Sequence, residues 1–141
     1  MTGDDVEGIV QLKHDLHTIV TIEDLGLVRY FLGIEISISP KWTLLNQRKY
    51  LLDILTNASL TGAKPAKFPL PKGLKLSTDL DNILPNLESC RRVIGRLLYL
   101  TLTRSYIFYV VQHLSQFLQE SRDTNYQATM HVLMYLKGTP N

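Results

Sequence analysis

The sequence predicts an α+β fold, with an N-terminal helix and a small antiparallel hairpin followed by a helical C-terminal part. Three observations predict it. Apolar residues recur at three- and four-residue spacing over 5–18, over 47–57 and through nearly all of 87–137. Residues 28–38 alternate apolar and polar positions and run into a turn signal. A stretch rich in proline and glycine separates the two halves.

The first helix lies over residues 5–18, where Val6, Ile9, Val10, Leu12 and Leu16 keep helical rhythm. Asp4 and Asp5 stand where an N-cap favours a carboxylate. The β-branched run 18–23 (TIVTIE) reads as a short strand, and Asp24-Leu25-Gly26 as a turn. Residues 28–38 (VRYFLGIEISI) read as a second strand with Gly33 inside it, where glycine marks a bulge or the close approach of another backbone. Ser39-Pro40-Lys41 turns the chain, and Trp42–Leu45 returns as the partner strand. Asn46 is placed to cap a helix over 47–57, with Tyr50, Leu51, Ile54 and Leu55 on its buried stripe. Pro65, Pro69, Pro71 and Pro85, with Gly62 and Gly73, define a connector. The expected organisation is therefore 1–59, a connector over 60–86, and a helical part over 87–141. That last part divides into helices 87–103, 104–119 and 123–137, the third capped by Asp123 and ended by Gly138 and Pro140.

Bulk properties narrow the classes. A chain of 141 residues with 45% apolar and 20% charged residues is globular in composition. No apolar run approaches the roughly 20 residues needed to span a bilayer. The first residues are neither basic nor apolar, so a soluble, intracellular chain without a membrane partner is expected. Cys90 is the only cysteine, which excludes an intrachain disulfide and a cysteine-based zinc cluster. His14 and His17 are three apart on the first helix, either a potential metal pair or a solvated face.

A net charge of +2 does not announce a nucleic-acid partner, but its distribution is informative. Residues 1–85 hold nine Lys and Arg against ten Asp and Glu, whereas 86–141 hold six against three. Four of those six are Arg91, Arg92, Arg96 and Arg104, and the guanidinium fork suits phosphate.

Gly3-Asp4-Asp5 spells a motif of two-metal polymerases, yet such a site needs the pair on a hairpin turn and a further aspartate from an upstream strand. Only two residues precede it, so a helix cap is the better reading and no catalytic residue or metal ligand is assigned. The hairpin with Tyr30, Phe31, Leu32, Gly33 and Trp42 is either a ribbon that lies along a nucleic-acid backbone or an ordinary packed hairpin. On helix 87–103, Arg91, Gly95 and Tyr99 fall at i, i+4 and i+8 on one face. They suit either a helix tracking a minor groove or a helix crossing with Tyr99 in the core. Arg92, Arg96 and Arg104 flank that stripe and either reach phosphates or stay solvated. No nucleophile elbow, P-loop or zinc spacing appears.

The stretch Asp24-Leu25-Gly26-Leu27-Val28-Arg29-Tyr30-Phe31-Leu32-Gly33-Ile34-Glu35 resembles the reverse transcriptase of copia-type LTR retrotransposons. The resemblance continues at Leu45–Tyr50, Arg91–Thr101, Leu114–Phe117 and Tyr135–Pro140, five blocks in colinear order. It implies a palm remnant over 1–59 and a thumb with the start of the connection over 87–141. The hairpin would then be the primer grip, holding Tyr30, Phe31, Leu32, Gly33 and Trp42. Arg91, Gly95 and Tyr99 would occupy the tracking positions of the thumb helix, with Arg92 and Arg96 beside them. The implied partners are an RNA–DNA or DNA primer–template and the palm, fingers and RNase H parts of the polyprotein. The family's catalytic Tyr-x-Asp-Asp turn and its Mg²⁺ ligands would lie before Met1, so no cofactor is expected in this chain and no polymerase activity from it alone. A co-opted nucleic-acid-binding module and an inert retroelement relic are the alternatives.

Departures from the pattern carry an expectation of their own. The family reads Thr-Arg-Pro-Asp-Ile where this chain has Thr103-Arg104-Ser105-Tyr106-Ile107. Without that proline and aspartate, helices 87–103 and 104–119 should be poorly separated. A tyrosine is usual at Cys90, and His-Trp at Asn125-Tyr126.

Overall fold

The computed structural model describes residues 3–74, 76, 87–119 and 122–139. The expectations for 77–86 with Pro85, and for Pro140, lie outside these residues. The fold is α+β: an N-terminal helix, a three-stranded antiparallel sheet, then helices.

Helix α1 (Val6–Ile19) starts where Asp5 accepts the Gly8 backbone N–H at 2.9 Å, so that aspartate is a cap. None of the residues of α1 is buried. Of the apolar stripe seen in the sequence, Val6, Val10 and Leu12 are 70%, 62% and 47% exposed, while Ile9 and Leu16 are half-buried. Lys13 ties α1 to the following segment through Asp24 at 2.7 Å.

Residues 18–23 are a correction. Helix α1 runs on to Ile19, and among the described residues the β-branched residues after it pair with no strand. Asp24 does turn the chain, accepting the Gly26 N–H at 3.0 Å.

The single strand expected over 28–38 is two strands. β1 (Tyr30–Phe31) turns at Leu32 and Gly33 into β2 (Ile34–Ile38), which pairs in turn with β3 (Thr43–Asn46) in the order β1-β2-β3. Leu32 and Gly33 have φ of 49° and 83°, the left-handed backbone that the tightest two-residue hairpins use. Gly33 is thus a turn residue rather than a bulge. The β2–β3 turn is as expected: Ser39 N–H donates to Trp42 O at 2.8 Å and Trp42 N–H returns to Ser39 O at 3.3 Å.

Helix α2 (Arg48–Asn57) has Gln47, not Asn46, in the cap position, and Asn46 Oδ1 accepts the Arg48 N–H at 2.9 Å just before it. It ends with Ser59 in the left-handed region and Leu60 N–H bonded back to Leu55 O at 2.9 Å, a Schellman-type stop. Residues 60–68 are then strapped along helix α5 (Asp123–Gly138). Ala66 N–H donates to Met134 O at 3.1 Å, His131 Nε2 meets Phe68 O at 3.1 Å, and Lys137 Nζ donates to Leu60 O, Thr61 O and Ala63 O.

The expectation of poor separation after 103 is overturned. α3 (Leu87–Leu100) stops, residues 101–104 turn, a short 3-10 helix spans Ser105–Ile107, and α4 (Phe108–Ser115) begins afresh. Arg104 supplies the reason. It is 4% exposed and donates through Nη1 to Thr139 O beyond α5 and to Tyr106 Oη, so a buried guanidinium fixes the break in place of the missing proline. Asp123 is corrected as well: Arg122 holds the cap position of α5, and Asp123 accepts from Gln127 Nε2 within the helix.

The core is helical. Leu51, Ile54 and Leu55 of α2 pack with Ile94, Leu97 and Leu100 of α3, Leu114 of α4, and Leu133 and Leu136 of α5. Helix α2 therefore joins the C-terminal helices, and the sheet rides on them without a fully buried residue of its own.

Candidate nucleic-acid interface

Four tyrosine, glycine and leucine positions meet where the sheet touches α3. The Tyr99 hydroxyl donates to Leu32 O at 2.5 Å, across 67 residues of chain. The Tyr99 ring meets the Tyr50 ring edge-on, with centroids 5.2 Å apart at 74°. Tyr50 in turn lies under Gly33, where an added Cβ would stand 3.0 Å from its Cδ2. So the close approach that the glycine admits is an aromatic side chain of this protein. Burial, opposed by the positive charge of Arg96, pushes the Tyr50 hydroxyl pKa up. Gln47, 1% exposed, locks the base of this corner: its Nε2 donates to Tyr99 O at 3.4 Å and its Oε1 accepts from Thr103 Oγ1 at 2.8 Å.

Around that corner the surface is apolar and exposed. Tyr30, Phe31 and Leu32 are 49%, 57% and 70% exposed, and Lys49 Nζ sits 5.3 Å above the Tyr30 ring. Lys49 and Tyr50 were missed as site residues because a helical stripe reads Tyr50 as core and Lys49 as solvated. Trp42 is exposed too but stands at the other end of β2, a strand length of roughly 17 Å from the Leu32 turn.

The stripe on α3 is partly as expected. Gly95 is exposed with nothing within 4 Å of an added Cβ, so it is no helix crossing. Tyr99 is half-buried at the corner. Arg91 is exposed, with Nε on Leu118 O at 3.2 Å beyond the end of α4. The four arginines do not form one patch. Arg92 and Arg96 line a groove against α2 and α5, and Arg104 is buried in the turn. Sequence spacing could not show those three directions.

Asp5 is occupied as a cap, and among the described residues no three His, Cys, Asp or Glu side chains come together as a metal site. No helix of the described residues is long and apolar enough to cross a membrane.

Over its full length the chain is 35% identical to the retrovirus-related Pol polyprotein of transposon RE2, and 36% identical to that of transposon RE1, both from Arabidopsis thaliana. The chain is a homologue of copia-type retrotransposon Pol polyproteins. It spans 10% of the length of each of those two relatives. The chain is also 37% identical, over 99% of its length, to an uncharacterized mitochondrial protein of Arabidopsis thaliana, covering 58% of that protein. No family model and no solved structure matches it.

Proposed function

We propose that this chain is a duplex-gripping part of a retroelement reverse transcriptase, one that holds a primer–template without extending it. The observation that carries the reading is the bond from Tyr99 to Leu32. It joins the hairpin turn and the α3 stripe into one outward surface, two features that lie far apart in sequence. On this reading residues 1–59 form the end of a palm, 60–86 a connector, and 87–141 a thumb with the start of a connection. Tyr30, Phe31, Leu32 and Gly33 place the primer end, with Trp42 further along the same ribbon. Arg91, the open backbone at Gly95 and Tyr99 follow the sugar–phosphate edge of an RNA–DNA or DNA duplex. The exposed apolar face of α1 favours a chain that works against other parts of the Pol polyprotein, over a self-standing module.

Fluorescence anisotropy with a labelled RNA–DNA hybrid tests this. Weak binding that falls steeply as salt rises is the expected result, because each contacted phosphate releases counterions. Arg91→Ala should flatten that slope, and purified chain given template, primer, dNTPs and Mg²⁺ should incorporate nothing. Absence of binding at low salt, or template-dependent extension, would overturn the reading.

A further inference from the structure

A groove of about 370 Å³ opens between α2, α3 and α5, on the side of α3 toward which Arg92 and Arg96 turn. Its size is that of a small-ligand site. Ile54 and Met130 give it an apolar floor, Tyr126 adds a ring and Asn57 an amide. Arg92 and Arg96, one turn apart on α3, supply its charge.

Neither cation is well satisfied. Arg96 is half-buried, and among the described residues its guanidinium makes no hydrogen bond or ion pair. Arg92 pairs with Glu88 at 2.9 Å, but the two side chains are 62% and 82% exposed, and such a surface pair is weak and readily exchanged. A partly desolvated guanidinium over an apolar floor is short of acceptors. The acceptor that fits two such forks is a phosphate, which each can hold bidentately. The apolar floor and the Tyr126 ring then call for a flat or apolar body attached to that phosphate.

We propose that this groove binds a phosphate group carried on a nucleobase-like body, with Arg92 and Arg96 on the phosphate and the ring seated against Tyr126 and Met130. The chemistry is shared by a free nucleoside monophosphate and by the 5′-phosphorylated end of a strand. No residue of the hairpin lines the groove, so the proposal stands whether or not the hairpin–α3 corner grips a duplex.

Titration calorimetry on the full chain, with four probes, tests the proposal: deoxyadenosine monophosphate, deoxyadenosine, and a short single-stranded DNA with and without a 5′-phosphate. At least one phosphorylated probe should bind, and its unphosphorylated counterpart should bind about ten-fold more weakly or not at all. Arg96→Gln should weaken the phosphorylated probe by about ten-fold or more. Glu88→Gln should tighten it by freeing Arg92. Circular dichroism of both variants establishes that they remain folded, and because the second variant gains affinity, misfolding cannot imitate it. Binding of the monophosphate but not of the phosphorylated strand assigns a free nucleotide, and the converse assigns a strand end. The proposal fails if neither phosphorylated probe binds, if the phosphate makes no difference, or if folded Arg96→Gln binds as the parent does.

Discussion

The hydroxyl of Tyr99 on α3 donates to the carbonyl oxygen of Leu32 at the β1–β2 turn, at 2.5 Å. A turn residue with a left-handed backbone is thereby fastened to the helical core, although no residue of β1 is buried. Tyr99→Phe keeps the ring against Tyr50 and removes only this bond. It should lower the unfolding free energy by about 1 kcal/mol, the net worth of an ordinary hydrogen bond. Urea melts would read the loss, and amide exchange at Phe31 and Ile34 should quicken. If both measurements match the parent chain, the bond does not hold the turn.

Gly33→Ala separates two costs that coincide at one residue. Its φ of 83° is unfavourable to a side chain, and the new Cβ would stand 3.0 Å from the Tyr50 ring. Gly26, at φ 76° with nothing within 4 Å, incurs the first cost alone. Gly33→Ala should destabilise by about 1–3 kcal/mol. It should also exceed Gly26→Ala in the same denaturation assay. Equal losses would mean that Tyr50 swings aside freely.

Much of this fold was legible because helices announce themselves by period. The limits of α1, α2 and α5 fall within a residue or two of where apolar spacing puts them, though only α1 has the expected capping residue. What escaped had no period to betray it. Alternation runs straight through Leu32-Gly33, since a two-residue turn preserves it and leucine is a poor signal for left-handed backbone. The run 18–23 has β-branched residues but no partner, and a strand exists only as a pair. The stop after Leu100 depends on Arg104 reaching Thr139, a contact across 35 residues. For the site, spacing put Arg91, Gly95 and Tyr99 on one helix, yet it could not show that Tyr99 would be tied to Leu32, or that Arg92 and Arg96 would turn into a groove.

Asn125 is 1% exposed, and among the described residues neither polar atom of its side chain has a hydrogen-bond partner. A buried amide in that state forfeits its hydration without compensation. Leucine has the same branched shape and no such need. Asn125→Leu should therefore raise stability by about 1 kcal/mol, seen as a higher urea midpoint at unchanged slope. A lower midpoint would mean that leucine overpacks the site and that this outweighs the relief.

Tyr50 makes stability fall at alkaline pH. Burial raises its pKa above the ordinary 10.0, and Arg96 opposes that rise only in part. The folded chain thus keeps the phenol protonated at a pH where the unfolded chain has released the proton. Its contribution is fully present below about pH 10, the unfolded value, and is lost as pH climbs through the higher folded value. Below that window the group contributes no pH dependence. Tyr50→Phe removes the titration while leaving the ring under Gly33 and against Tyr99. Melting temperatures of parent and variant should run parallel from neutral pH to about 9 and then converge or cross above 10, with the parent falling more steeply. Parallel curves throughout the alkaline range would show that the phenol is no harder to ionise in the folded chain than in the unfolded one.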